Sequence, residues 1–139
     1  MNLIFCVDKK GGMLFHKRRL SFDRIVCEKI LNISGGALSI APYSRSLFPS
    51  DVELQVSDEF LAKAGEASWC FVETVDPAEY MDRVEKIVIF YWNRVYPSEL
   101  KFSLDILQFG WKLIHSEEFQ GYSHERITME VYQRCQGIY

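Results

Sequence analysis

Several things are scarce in this 139-residue sequence, and each scarcity removes a class of protein. No apolar run approaches the roughly 20 residues that a membrane-crossing helix requires, so no spanning segment is expected. Cysteine occurs four times, at Cys6, Cys27, Cys70 and Cys135. None of these forms a C-x-x-C pair, and each lies in an apolar or helical stretch. That spacing suits buried free thiols in a reducing compartment better than a disulfide framework. Histidine occurs three times, at His16, His115 and His124, too dispersed to supply clustered ligands, so no metal is expected. Positive charge is short as well. Sixteen Lys and Arg face 19 Asp and Glu, for a net charge of −3, which argues against nucleic acid as a partner. The N-terminus lacks a charged leader, an apolar stretch and a small-residue cleavage site, and a cytoplasmic location is expected. There is no G-x-S-x-G, no Walker loop, no repeat and no linker, and residues 1–139 read as a single domain.

What is present is a rhythm of short apolar runs and turn signals. Leu3–Val7 reads as a buried strand closed by Asp8. A flexible basic loop is expected from Lys9-Lys10-Gly11-Gly12 to His16-Lys17-Arg18-Arg19. A helix follows over 22–33, with Phe22, Ile25, Val26, Ile30 and Ile33 at helical spacing, Ser21 as its cap and Ser34-Gly35-Gly36 as its stop. Further strands are expected over 37–41, 52–56, 69–75 and 86–92, the last the most apolar. Between them stand a brief helix or turn from Pro42 and a helix from Ser57-Asp58-Glu59 through Ala64. Another helix begins at Asp76-Pro77-Ala78-Glu79. The stretch 102–110 is ambiguous. Two long strands, 111–119 and 127–134, are joined by a loop too wide for a tight hairpin. This pattern predicts an α/β fold, with a mixed, mainly parallel sheet flanked by helices and an antiparallel C-terminal strand pair.

The order of elements resembles dihydrofolate reductase. Leu3-Ile4-Phe5-Cys6-Val7-Asp8 and the glycine-containing loop are similar to that family's first strand and mobile loop. Leu20-Ser21-Phe22-Asp23 occupies the approach to its first long helix, and Asp23 falls where the family keeps its substrate-binding acid. Ile40-Ala41-Pro42-Tyr43-Ser44-Arg45-Ser46 sits at its first phosphate turn. Trp111-Lys112-Leu113-Ile114, Glu117-Glu118-Phe119 and Ile127 to Tyr132 resemble its closing antiparallel pair.

Departures from that pattern bear on function. The second phosphate turn of the family is a glycine run opening a helix, which lets backbone amides meet a pyrophosphate. Here Val72-Glu73-Thr74-Val75-Asp76-Pro77 has no glycine and two acids. At the first turn the glycine-arginine pair has become Ala41-Pro42, leaving Ser44 and Arg45 as the phosphate-compatible pair. Phe5 and Cys6 stand where small residues are usual, and Cys27 replaces an aromatic one helical turn after the acid. The resemblance with these departures implies a protein that has lost NADPH binding and serves as a small-molecule binding or regulatory module. The alternative is an NADPH-dependent pterin- or flavin-type reductase with an unusual cofactor site.

Each candidate residue carries a plainer reading. Asp23 either holds a heterocycle or answers the positive end of a helix dipole. Lys17, Arg18 and Arg19 either rim a site for a small anionic or heterocyclic ligand or form a solvated loop. Ser44 and Arg45 either hold a cofactor phosphate or cap a turn. His124 follows a serine in a polar loop, and such a pair makes no catalytic triad without an orienting acid and an oxyanion site. A ligand is expected in the crevice beyond the carboxyl end of the first strand, with Asp23 facing inward.

Overall fold

The computed structural model describes residues 1–135. The first apolar run is strand β1 (Asn2–Val7). Its residues 3, 4, 5 and 7 are all sealed from solvent, as a strand covered on both faces requires. The loop expected to be flexible is instead a hairpin, β2 (Gly12–Phe15) and β3 (Arg18–Arg19). Its turn residues His16 and Lys17 both take positive φ, 52° and 62°, the twist that a two-residue hairpin turn needs. Neither is a glycine, so the turn gave no signal in the sequence.

Helix α1 spans Arg24–Ser34, two residues later than the spacing predicts at its start. Its cap is Asp23, not Ser21: Asp23 has extended backbone and its carboxylate accepts from the Ile25 amide at 2.9 Å. Phe22 falls outside the helix and is 62% exposed, so it leaves the apolar stripe. Gly35, in the left-handed conformation, ends the helix.

The remaining elements are short. Strands β4 (Leu38–Ile40) and β5 (Gln55–Val56) flank a 3-10 helix at Pro42–Leu47. Helix α2 (Phe60–Lys63) is one turn, and β6 is Trp69–Phe71. The segment Ala78–Arg83 is 3-10 rather than α-helical, closing on bonds such as Tyr80 N–H to the Pro77 carbonyl. That tighter winding is usual in brief connectors. Strand β7 (Lys86–Tyr91), β8 (Leu100–Lys101), a 3-10 helix at Leu104–Gln108, β9 (Trp111–Phe119) and β10 (Ile127–Arg134) complete the chain.

Seven strands form one sheet in the order β5-β4-β6-β1-β7-β10-β9, and β3-β2-β8 form a second, small one. From β5 to β7 all pairings are parallel, while β10 runs antiparallel to β7 and β9 to β10. The fold is therefore the mixed α/β class expected, with an antiparallel C-terminal pair. Alternation along the central strands splits the core in two. Ile4, Phe71, Val88 and Phe90 meet Val26, Cys27 and Ile30 of α1 on one face. Leu3, Phe5, Val7, Ile87 and Ile89 face α2, Met13 and Phe102 on the other, where the Phe5 and Phe102 rings stack at 4.2 Å. No helix among the described residues is long and apolar enough to cross a membrane.

Candidate functional site

The site grows from the segment joining β3 to α1. Asp23 has extended backbone, φ −149° and ψ 135°, and side chains two apart on extended chain share a side. Ser21 and Asp23 therefore face the same neighbour, the 121–124 loop between β9 and β10. Asp23 Oδ1 accepts from the Ile25 and Tyr122 amides, at 2.9 and 3.0 Å. Its Oδ2 accepts from the Ser123 amide at 2.9 Å, the Ser123 hydroxyl at 3.2 Å and His124 Nδ1 at 2.9 Å. Gly121 lets the loop come this near, since a Cβ there would stand 2.5 Å from Asp23 Oδ2.

The Asp23 side chain is fully buried. Burial alone would raise its pKa, but the donors from Ser123, His124, Tyr122 and Ile25 outweigh it and lower the value to about 2. A carboxylate so held stays ionised. It only accepts, so His124 Nδ1 carries the proton between them, and in the neutral ring Nε2 is the acceptor. Ser21 Oγ lies 2.8 Å from that Nε2, and Trp92 stacks on the imidazole at 4.7 Å. The orienting acid that the sequence did not reveal beside His124 is thus Asp23, about a hundred residues away.

Ser21 and His124 line an open cleft of about 710 Å³ with Arg18, Arg19, Tyr43, Arg94 and Tyr96. Neither Arg18 nor Arg94 has an ion-pair partner among the described residues. On the other side of Phe22 and Ser123, which border both, lies an apolar groove of about 640 Å³ along Cys27, Leu31, Leu47 and Phe48. The Cys27 thiol is raised to about 11, by burial first and the Glu73 charge second, and stays neutral near pH 7.

The other expected residues are engaged elsewhere. Arg18 and Arg19 reach the cleft, but Lys17 sits at the hairpin turn and does not line it. Arg19 grips Glu73 through two nitrogens, at 2.8 and 3.0 Å, and its guanidinium lies 4.5 Å from the centre of the Tyr43 ring. Ser44, with no exposed surface, donates to the same Glu73 at 2.8 Å. Arg45 donates to the carbonyls of Phe48, Pro49, Ser50 and Val52. In this arrangement the hydroxyl and guanidinium expected to face a phosphate are spent on protein groups. Sequence reasoning misses Arg94 and the joining of Ser21 to His124, and it takes Tyr96 for a core aromatic rather than a residue of the cleft. Only His124 gave a signal, as a histidine in a glycine-containing polar loop.

No protein-family model and no curated protein matches the sequence. Among solved structures, 240 chains match. One is a dihydrofolate reductase from Enterococcus faecalis, complexed with NADP(H) and RAB-propyl. It superimposes with a TM-score of 0.66 at 10% identity over 97% of each chain. The fold is dihydrofolate reductase-like. At this identity the likeness speaks for architecture and not for activity.

Proposed function

We propose that this chain is a small-molecule binding module of dihydrofolate reductase-like fold that has given up the dinucleotide mode. It takes a small anionic or heterocyclic ligand at the cleft above Ser21 and His124. Arg18 and Arg94 would meet the negative group, with Tyr43 and Tyr96 beside it. The apolar groove past Phe22 would receive any extended hydrophobic part.

The observation that carries this reading is Glu73. Its carboxylate is buried after β6 and fastened by Arg19 and Ser44, in a stretch without glycine. A pyrophosphate placed there would have to break a bidentate ion pair with Arg19 and would then stand beside an unpaired buried carboxylate.

The test is calorimetric titration beside a thermal-shift panel of pterins, nucleotides and small carboxylates. NADPH should not saturate at about 30 µM, a threshold near 6 kcal/mol of binding free energy. A selective anion from the panel should raise the melting temperature by mass action. Tight, stoichiometric NADPH binding would overturn the reading.

A further inference from the structure

We propose that Ser21, His124 and Asp23 form a hydrolytic triad, and that this chain cleaves esters bearing a carboxylate or phosphate. The three groups lie in the relay that acyl transfer uses: a hydroxyl 2.8 Å from one imidazole nitrogen and a buried carboxylate 2.9 Å from the other. A structural tether needs only the Asp23 bonds to the loop amides. It does not need the second imidazole nitrogen turned to a hydroxyl in an open cleft. Asp23 is the positioning residue. It fixes the tautomer that leaves Nε2 free to take a proton, and Trp92 holds the ring from its face.

In the first half-reaction Ser21 Oγ adds to the ester carbonyl carbon and its proton passes to His124 Nε2. The C–O bond to the alcohol then breaks, and the leaving alkoxide takes that proton. Water repeats the sequence on the acyl-serine. It gives a proton to Nε2, forms the carboxylic acid and returns the proton to Ser21 Oγ. The balance is ester plus water to acid plus alcohol, with no other reactant. Arg18 and Arg94 line the same cleft, and in this proposal their positive charge would stabilise the oxyanion that forms on the carbonyl oxygen. They also select a substrate with an anionic group, and this selectivity rests on the binding reading above.

The experiment has two arms on the full chain. In the first, a fluorophosphonate is incubated with wild type, Ser21→Ala and His124→Gln, and the adduct is mapped by peptide mass spectrometry. The expected result is one adduct on Ser21, absent in Ser21→Ala and slowed in His124→Gln by about 10²-fold or more. No adduct in the wild type, or an adduct elsewhere that persists in Ser21→Ala, overturns the triad. The second arm compares 4-nitrophenyl acetate with 4-nitrophenyl hydrogen succinate. A higher kcat/KM for the succinate supports the full proposal. Equal, Ser21-dependent values keep the triad and remove the anion-selective cleft. Anion binding without a Ser21 adduct keeps the binding module and removes the triad. Asp23→Asn adds a readout that a structural role would not move, a change in the pH profile of labelling with Ser21 still present.

Discussion

Replacing Asp23 by Asn should change how stability depends on pH more than it changes the fold. The Asp23 pKa is lowered from 3.8 to about 2 in the folded chain. Each tenfold change in proton affinity is worth about 1.4 kcal/mol, so the ionised carboxylate contributes about 2.5 kcal/mol where it is charged in both folded and unfolded states. Its folded pKa is depressed, so this stability is fully present above the unfolded value and is lost as pH falls toward 2. Linkage puts the contribution at about 2.5 kcal/mol at pH 6 and about 1.3 kcal/mol at pH 3. Other carboxylates titrate over the same range, but they are common to both proteins. Urea unfolding of wild type and Asp23→Asn, measured from about pH 3 to about pH 7, isolates the single group by difference. The gap between the two should narrow by about 1 kcal/mol toward the acid end. A gap that stays constant with pH would refute the claim that the 121–124 loop holds Asp23 as an anion.

Gly121→Ala should destabilise by about 1–3 kcal/mol, because its Cβ would meet Asp23 Oδ2 at 2.5 Å and Ile127 Cδ1 at 2.7 Å. Denaturant midpoints measure this, and an unchanged midpoint would mean that the loop does not approach Asp23 so closely. Phe102→Ala removes a ring that is 2% exposed and stacked on Phe5, and should cost about 3–5 kcal/mol in urea melts read by circular dichroism. A loss under about 1 kcal/mol would show that the core collapses into the space.

The parallel core was open to reading because it is written in runs. Leu3–Val7 and the strand after Lys86 are apolar without interruption, as only strands covered on both faces are. Helix α1 announced itself through Val26, Ile30 and a glycine stop. Its first turn did not, because Ser21 and Asp23 are both good caps and local propensity cannot choose between them. The choice is made by the 121–124 loop, whose amides bind the carboxylate. The same distance hid the site, since nothing local joins Ser21 and Asp23 to His124. The hairpin at His16 and Lys17 was hidden for another reason: residues that seldom take positive φ are held there by pairing on both sides. The 3-10 segment Ala78–Arg83 reads as a helix in the sequence because capping signals mark where a turn begins and not how many residues follow.

The loop that closes on Asp23 also sets the order in which the molecule can be finished. Residues 21–23 reach the ribosome exit early, whereas Gly121 to His124 emerge about a hundred residues later, at ordinary synthesis speed a delay of roughly 5–20 s. In that interval α1 can form on the parallel strands, but Asp23 has only the Ile25 amide of its own helix. Contacts of such sequence separation carry a loop-closure cost and tend to form slowly. The cleft is therefore a late product of folding, and a nascent chain stopped before Gly121 would own the helix without the loop contacts at its tip.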